Sequence, residues 1–244
     1  MISTRTRVMI GLMGLLVLAL PVAAQPPDPN YHYHSYPYYS GEFRIHVGSF
    51  EPNGSSEYWH SINNDFTSAE PSDFRDLTFG ADYLFPLNPH MSIIFSGSWY
   101  EGSSSHSYRN FLDENNNRIR HDTTLDIASG TVGLMFHVLP RGTPIQPYVA
   151  FGGGIYPWRL EENGDFIDFG RPTLPIFHSH LSSSGTAFGY YGLVGLDVPV
   201  SRVFGIYAEG RWTWAEDTLK DDFEGFGKLD LGGREVVAGL TWRW

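Results

Sequence analysis

Hydrophobic and polar residues alternate through most of the chain after Gly41, and the period is two. The pattern is plainest in Gly233 to Trp244. There Val236, Ala238, Leu240, Trp242 and Trp244 form one row, and Glu235, Val237, Gly239, Thr241 and Arg243 the other. A strand with a charged row is not buried on both faces. Seven further segments show the same alternation: 42–50, 76–85, 91–100, 123–138, 145–158, 185–198 and 203–215, with the eighth taken as 229–244. Each reaches the roughly 9–11 residues that a tilted strand needs to cross a hydrocarbon layer. Segment 123–138 changes phase, because Leu125 and Ile127 do not share parity with Val132, Leu134, Phe136 and Val138. A β-bulge near Ser129-Gly130 is expected to reconcile its halves.

The connections alternate too. Pro86 to Pro89, Pro140 to Thr143 and Pro199 to Arg202 are short, with Pro, Asn and Gly where tight turns want them. Between them lie long polar stretches at 51–75, 101–122, 159–184 and 216–228. Aromatics collect at both strand ends: Trp99, Trp158, Trp212 and Trp214 toward the long connections, and Phe85, Phe136, Phe204, Trp242 and Trp244 toward the short ones. This predicts an all-β fold, an eight-stranded antiparallel closed transmembrane β-barrel with an aromatic girdle at each interface. Closure follows from the solvent, since an open edge in lipid leaves backbone groups unsatisfied.

The stretches PYVAFGGGIY, GYYGLVGLDVPVS and IYAEGRWTW, and the terminal strand ending on Trp244, resemble the small bacterial outer-membrane β-barrel superfamily that includes the OmpA transmembrane domain, OmpX and OmpW-like proteins. The resemblance spans residues 41–244. It implies an outer-membrane location, contact with outer-membrane lipids, delivery by periplasmic chaperones and insertion by the barrel assembly machinery. The outward terminal residues Leu240, Trp242 and Trp244 would be the assembly signal.

Residues 1–24 read as a secretory signal peptide: Arg5 and Arg7, an apolar run from Val8 to Leu20, then Pro21 and the small residues before Gln25. Residues 25–40, QPPDPNYHYHSYPYYS, form a Pro/Tyr/His-rich tract without periodicity, expected to be a disordered extension. Two of the 16 basic residues fall in the leader, leaving 14 against 27 acidic ones, a net charge near −13, which excludes a basic nucleic-acid footprint. There is no cysteine, so disulfides, thiolate zinc sites and cysteine nucleophiles are absent.

Parity turns Arg44, His46, Asp82, Glu209, Arg211, Glu235 and Arg243 inward. An eight-stranded barrel is just wide enough for side chains to fill it. Mixed charges there are expected to pair in a lumen network, because isolated ones are costly to desolvate. A narrow or gated ion path is the alternative use of the same residues. His180-Leu181-Ser182 has the His-x-Ser spacing of lipid-modifying barrel enzymes, and a base with a hydroxyl nucleophile needs a nearby acid to complete it. Asp113, Asn115 and Asn117 have calcium-loop spacing, but Arg118 and Thr124 stand where Gly and Glu are required, so a polar turn is expected. No metal and no cofactor is expected. The expected role is non-enzymatic, structural or surface-interacting with a ligand for the loops, and transport of small or hydrophobic solutes is the second reading.

Overall fold

The computed structural model describes residues 40–65, 70–139 and 143–244, with backbone alone for 63–65. The leader, nearly all of the Pro/Tyr/His tract and most of the turn at 140–143 lie outside the described residues. The strands are β1 (Glu42–Pro52), β2 (Asp76–Asn88), β3 (Met91–Leu112), β4 (Arg118–His137), β5 (Gln146–Ile167), β6 (Ile176–Pro199), β7 (Phe204–Thr218), β8 (Lys228–Asp230) and β9 (Gly233–Arg243). Each of β1 to β7 pairs antiparallel with the next, β7 pairs with β9, and β9 returns to β1, which closes an eight-stranded ring. The closing ladder runs from Glu42 opposite Arg243 to Pro52 opposite Gly233.

On the lower barrel, toward the short turns, the outward rows are apolar. β2 presents Leu77, Phe79, Ala81, Tyr83, Phe85 and Leu87; β6 presents Phe188, Tyr190, Val194, Leu196 and Val198. At ~3.3 Å per residue and a tilt of about 40°, the β2 row covers roughly 25 Å, the height of a lipid-facing band.

Three expectations about the strands are corrected. The second and third long connections are not loops: β3 and β4 stay paired from Glu101 opposite Asp126 to Ser107 opposite Arg120, and β5 and β6 from Arg159 opposite Ser184 to Ile167 opposite Ile176. β7 pairs with β6 only from Gly189 downward and β2 with β3 only up to Tyr100, so above that level a four-stranded sheet, β3 to β6, stands clear of the ring. The eighth segment is split at Leu231-Gly232, where the Gly232 amide donates to Asp230 Oδ1 at 2.8 Å and β8 turns to pair with β7.

The bulge is the third correction. The β3–β4 register runs unbroken through Ser98 opposite Ser129 and Gly97 opposite Gly130. Odd-numbered residues of β4 face inward throughout, so Leu125 and Ile127 are inside while Val132, Phe136 and Val138 are outside. The pleat keeps its phase; the apolar face changes sides.

It changes because the upper interior is a hydrophobic core. The first long connection folds into α1 (Glu57–Asp65), whose Tyr58, Trp59 and Ile62 point into the barrel mouth, and a 3-10 turn (Pro71–Phe74) that adds Phe74. The last long connection contributes Leu219, Phe223, Leu229 and Leu231. They pack against Phe50, Tyr100, Leu125, Ile127, Trp158 and Leu160 of the strands. Outward positions at this height, Glu51, Glu101, Arg120, Arg159 and Arg234, are polar and meet water.

Candidate functional site: the filled lumen

All seven charged residues that parity turned inward lie in the lower lumen, each buried. Glu42 and Asp197 join them, as do the phenols of Tyr148 and Tyr207. Both acids obey the same alternation, Glu42 with Arg44 on β1 and Asp197 opposite in parity to Leu196 and Val198, so the signal was present in the sequence.

The charges form two groups. In the lower one, Arg44 Nε donates to Glu42 Oε1 at 2.8 Å and its Nη2 lies 3.5 Å from Asp197 Oδ2. Arg243 Nε donates to Glu42 Oε2 at 3.2 Å, and its Nη2 donates to Asp197. Thr241 Oγ1 donates to Asp197 Oδ2 at 3.0 Å. The Arg44 guanidinium, 0% exposed, is held between the rings of Tyr148 and Tyr207 at 4.9 and 4.8 Å. Two carboxylates meet two guanidinia, so this group is balanced.

The other group sits one layer higher. Arg211 Nη2 donates to Glu209 Oε1 at 3.0 Å and lies 3.6 Å from Asp82; its Nε is 3.9 Å from Glu235 Oε2. Tyr148 O–H donates to Glu209 Oε2 at 2.9 Å. His46 Nδ1 is 2.9 Å from the Tyr207 hydroxyl and 3.5 Å from Asp82 Oδ2. The His46 ring fits because β2 carries Gly80 beside it; a Cβ there would stand 2.3 Å from His46 Nε2. Here three carboxylates share one guanidinium and one imidazole.

Above the charges the cap closes the mouth. Trp59 Nε1 donates to the Asp230 carbonyl at 3.1 Å, and Tyr58 O–H donates to Glu162 Oε1 at 2.7 Å. His106 and His121 are buried with rings 4.9 Å apart, His106 Nε2 lies 2.9 Å from Thr123 Oγ1, and Phe166 stacks on His121. Burial, reinforced by the neighbouring His106, pushes His121 down to about 4; burial also lowers His106. Burial raises Glu162, against the hydrogen bonds of Tyr58 and Thr123. Between cap and charge network lies a cavity of about 30 Å³, bounded by Phe50, Tyr100, Leu231, Arg211 and Glu235. Above it lies the buried core of the cap, and below it the buried charges with Leu84, Ile94, Met135 and Leu193.

On the exterior, Trp212 and Trp214 are 45% and 46% exposed, and Tyr190 stacks on Trp214 at 5.2 Å. Trp99 shares the outward row of Ile93 and Phe95. Trp158 does not belong to this girdle: it is 4% exposed, faces the interior, and donates its Nε1–H to Asp217 Oδ2 at 2.9 Å. Gly153 and Ile155 precede it on the outward row, and at its height that row has already given way to Arg159. Leu240 and Trp242 face outward on β9, where Phe204 stacks on Trp242, and the Trp244 carbonyl accepts from the Ser40 amide at 2.7 Å.

The other motifs gather no site. His180 and Ser182 share an outward face of β6 with Glu161 opposite Ser182, but His180 Nε2 is 3.9 Å from Glu161 Oε1, beyond hydrogen-bond length. They stand eight and six residues past Phe188, the last lipid-facing aromatic of β6, so His180 is ~26 Å further along the strand. Asp113 caps a polar turn, its Oδ1 accepting from the Asn115 and Asn117 amides at 2.8 and 2.7 Å. Among the described residues, no three of His, Cys, Asp or Glu are placed to hold a metal ion.

No protein-family model matches the chain, and no curated protein matches its sequence. Solved structures with a similar architecture include Neisserial surface protein A (TM-score 0.49, 10% identity, 84% of this chain and 97% of that one). They also include the outer membrane protease OmpT of Escherichia coli (0.43, 11%, 87% and 99%) and Ail, the attachment invasion locus protein of Yersinia pestis (0.41, 16%, 84% and 99%). At such identities the likeness is one of fold alone.

Proposed function

We propose that this eight-stranded barrel resides in the bacterial outer membrane as a member of the small outer-membrane barrel superfamily, and that it is a non-conducting, non-enzymatic barrel whose role is to present its protruding hairpins at the surface. The observation that carries this reading is the contrast between a filled bore and an extended upper sheet. The β3–β4 and β5–β6 hairpins rise well past the lipid band and end in exposed Leu112, Phe169, Ile176 and Phe177, the last two opposite Ile167 and Phe166. Apolar side chains held out into water by ordered strands suit contact with a surface ligand better than solubility.

Transport is the weaker reading, because conduction through this bore would require moving both the cap and buried ion pairs. An enzyme of the lipid-modifying kind is weaker still, since His180 and Ser182 stand far above the headgroups. The outward terminal row of Leu240, Trp242 and Trp244 fits recognition by the barrel assembly machinery after chaperone delivery, with outer-membrane lipids as the permanent partners.

The deciding measurement is single-channel conductance of the refolded barrel in planar bilayers, beside an Arg211→Ala variant. Silence from folded protein is expected. Discrete openings whose size changes in the variant would replace the surface role by transport.

A further inference from the structure

The charge groups of the lumen differ in one respect that the surface role leaves unused. The lower group is balanced, whereas among the described residues Asp82, Glu209 and Glu235 have ion-pair contacts with Arg211 and His46 alone. With His46 neutral the upper group carries two excess negative charges, and with His46 protonated it still carries one. All five side chains are buried. Unbalanced charge away from water is costly, so something must compensate it.

The geometry locates the deficit at Glu235. Arg211 is already engaged by Glu209 at 3.0 Å and by Asp82 at 3.6 Å, and lies over the Tyr191 ring at 5.1 Å. Glu235 is the third carboxylate on that guanidinium; its Oε2 is 3.9 Å away and its Oε1 has no hydrogen-bond partner. Glu235 is 6% exposed and lines the 30 Å³ cavity. The rest of that wall combines the hydroxyls of Thr78, Ser98, Ser129, Thr131 and Thr213 with apolar side chains and with Arg211, whose Nη2 is bonded to Glu209, so an ion would sit on the hydroxyl side of Glu235. Ser98 and Ser129 hydrogen-bond each other at 2.7 Å, which commits the proton of whichever donates, and Thr78 donates to the Trp99 carbonyl at 3.3 Å; oxygen lone pairs remain on all three hydroxyls.

We propose that this cavity is a binding site for one small monovalent cation, with Glu235 as its anionic ligand and the surrounding hydroxyls as neutral ones. The volume admits about two or three water-sized particles, one ion with a water or two, since each needs roughly 10–15 Å³ on this measure. A divalent ion is the poorer fit: calcium takes 6–8 oxygens, commonly with several carboxylates, and here a single carboxylate lines the void. The cation neutralises the third carboxylate and locks β9 to the β2–β4 wall across the bore.

The test uses the full refolded chain in lipid vesicles. Its urea unfolding midpoint is followed in lithium, sodium, potassium and choline chloride at equal ionic strength and fixed pH. The expected result is a midpoint that rises and saturates with at least one alkali cation but not with choline, an increment lost in Glu235→Gln. Thr131→Val serves as a second variant should Glu235→Gln not fold, and it should weaken the same increment. A thallium(I) soak of crystals, as a potassium surrogate, should give an anomalous peak beside Glu235. Equal midpoints in all four salts, or an increment that survives Glu235→Gln, would overturn the site. So would a midpoint that ignores the salt but climbs on acidification, which would mean that a proton resides on Glu235 instead.

Discussion

The same strands build the two halves of the barrel interior from different mixtures of side chains. Below Gly80 and Gly97 the bore holds guanidinia, carboxylates and phenols beside a small apolar cluster of Leu84, Ile94, Met135 and Leu193, and the outward rows are Leu, Ile, Val, Phe and Trp. Above them the bore is a core of Trp59, Phe74, Leu125, Trp158 and Phe223, and the outward rows are Glu, Arg, Ser and Thr. The lower half is a membrane barrel and the upper half is folded like a soluble one. The difference shows that the pleat assigns a residue to a face, while the medium outside decides what that face contains. In lipid the long apolar rows go outward and the lumen takes the charged pairs, with the few apolar residues of the Leu84 cluster beside them; in water the apolar rows turn in and a helix covers them.

The sharpest way to break this contrast is in the lower bore. Arg44→Met leaves Glu42 and Asp197 with Arg243 alone and strands buried negative charge, at a cost of about 3–5 kcal/mol. It should lower the urea midpoint of the whole barrel, seen as earlier loss of the heat-modifiable folded band. A cap substitution of similar severity should act elsewhere. Trp59→Ala removes a buried ring and its bond to the Asp230 carbonyl, about 3 kcal/mol. Its effect should appear as protease cleavage of the first connection while the folded band persists; loss of both together would mean that cap and barrel unfold as one unit.

Acid should separate the halves more gently. His121 is depressed to about 4 from the ordinary 6.5, so its contribution to the cap is present above pH ~6.5 and is lost as pH falls toward 4. Glu162, raised by burial, works the other way and offsets part of it. A net loosening on the order of 2 kcal/mol is expected, read as rising protease sensitivity of the first connection between pH 6.5 and 4. His121→Phe should flatten that profile. The smallest effect belongs to the exposed Lys228–Glu216 pair at 3.1 Å: Lys228→Ala should shift neither readout by more than about 0.5–1 kcal/mol.

Legibility followed the same boundary. In the lower barrel most faces could be read by counting in twos: Arg44, His46, Asp82, Glu209, Arg211, Glu235 and Arg243 are buried on the inward parity, and Glu42 and Asp197 needed only the same count; the fifth segment, with Gly152, Gly153 and Gly154 at its centre, left its faces open. In the upper barrel the apolar row moves inside, so the phase change at Ser129-Gly130 imitated a bulge and Trp158 imitated a lipid-facing aromatic. The hairpin extensions, rich in Ser, Asn and charge, resemble loops because their outward face meets water. α1 has only three apolar anchors in a polar connection, too few for a helical period to stand out.

The sequence by itself determined the strand count, the antiparallel order, the closed ring and the charged character of the lower lumen, because alternation and turn chemistry are local and repeat along the chain. The tertiary structure alone decided where lipid gives way to water, which carboxylates share Arg211, and which connections drop their side chains into the mouth. Those depend on height within the barrel and on residues such as Tyr58 and Glu162, or Arg44 and Asp197, that lie more than a hundred positions apart and meet only once the ring has closed.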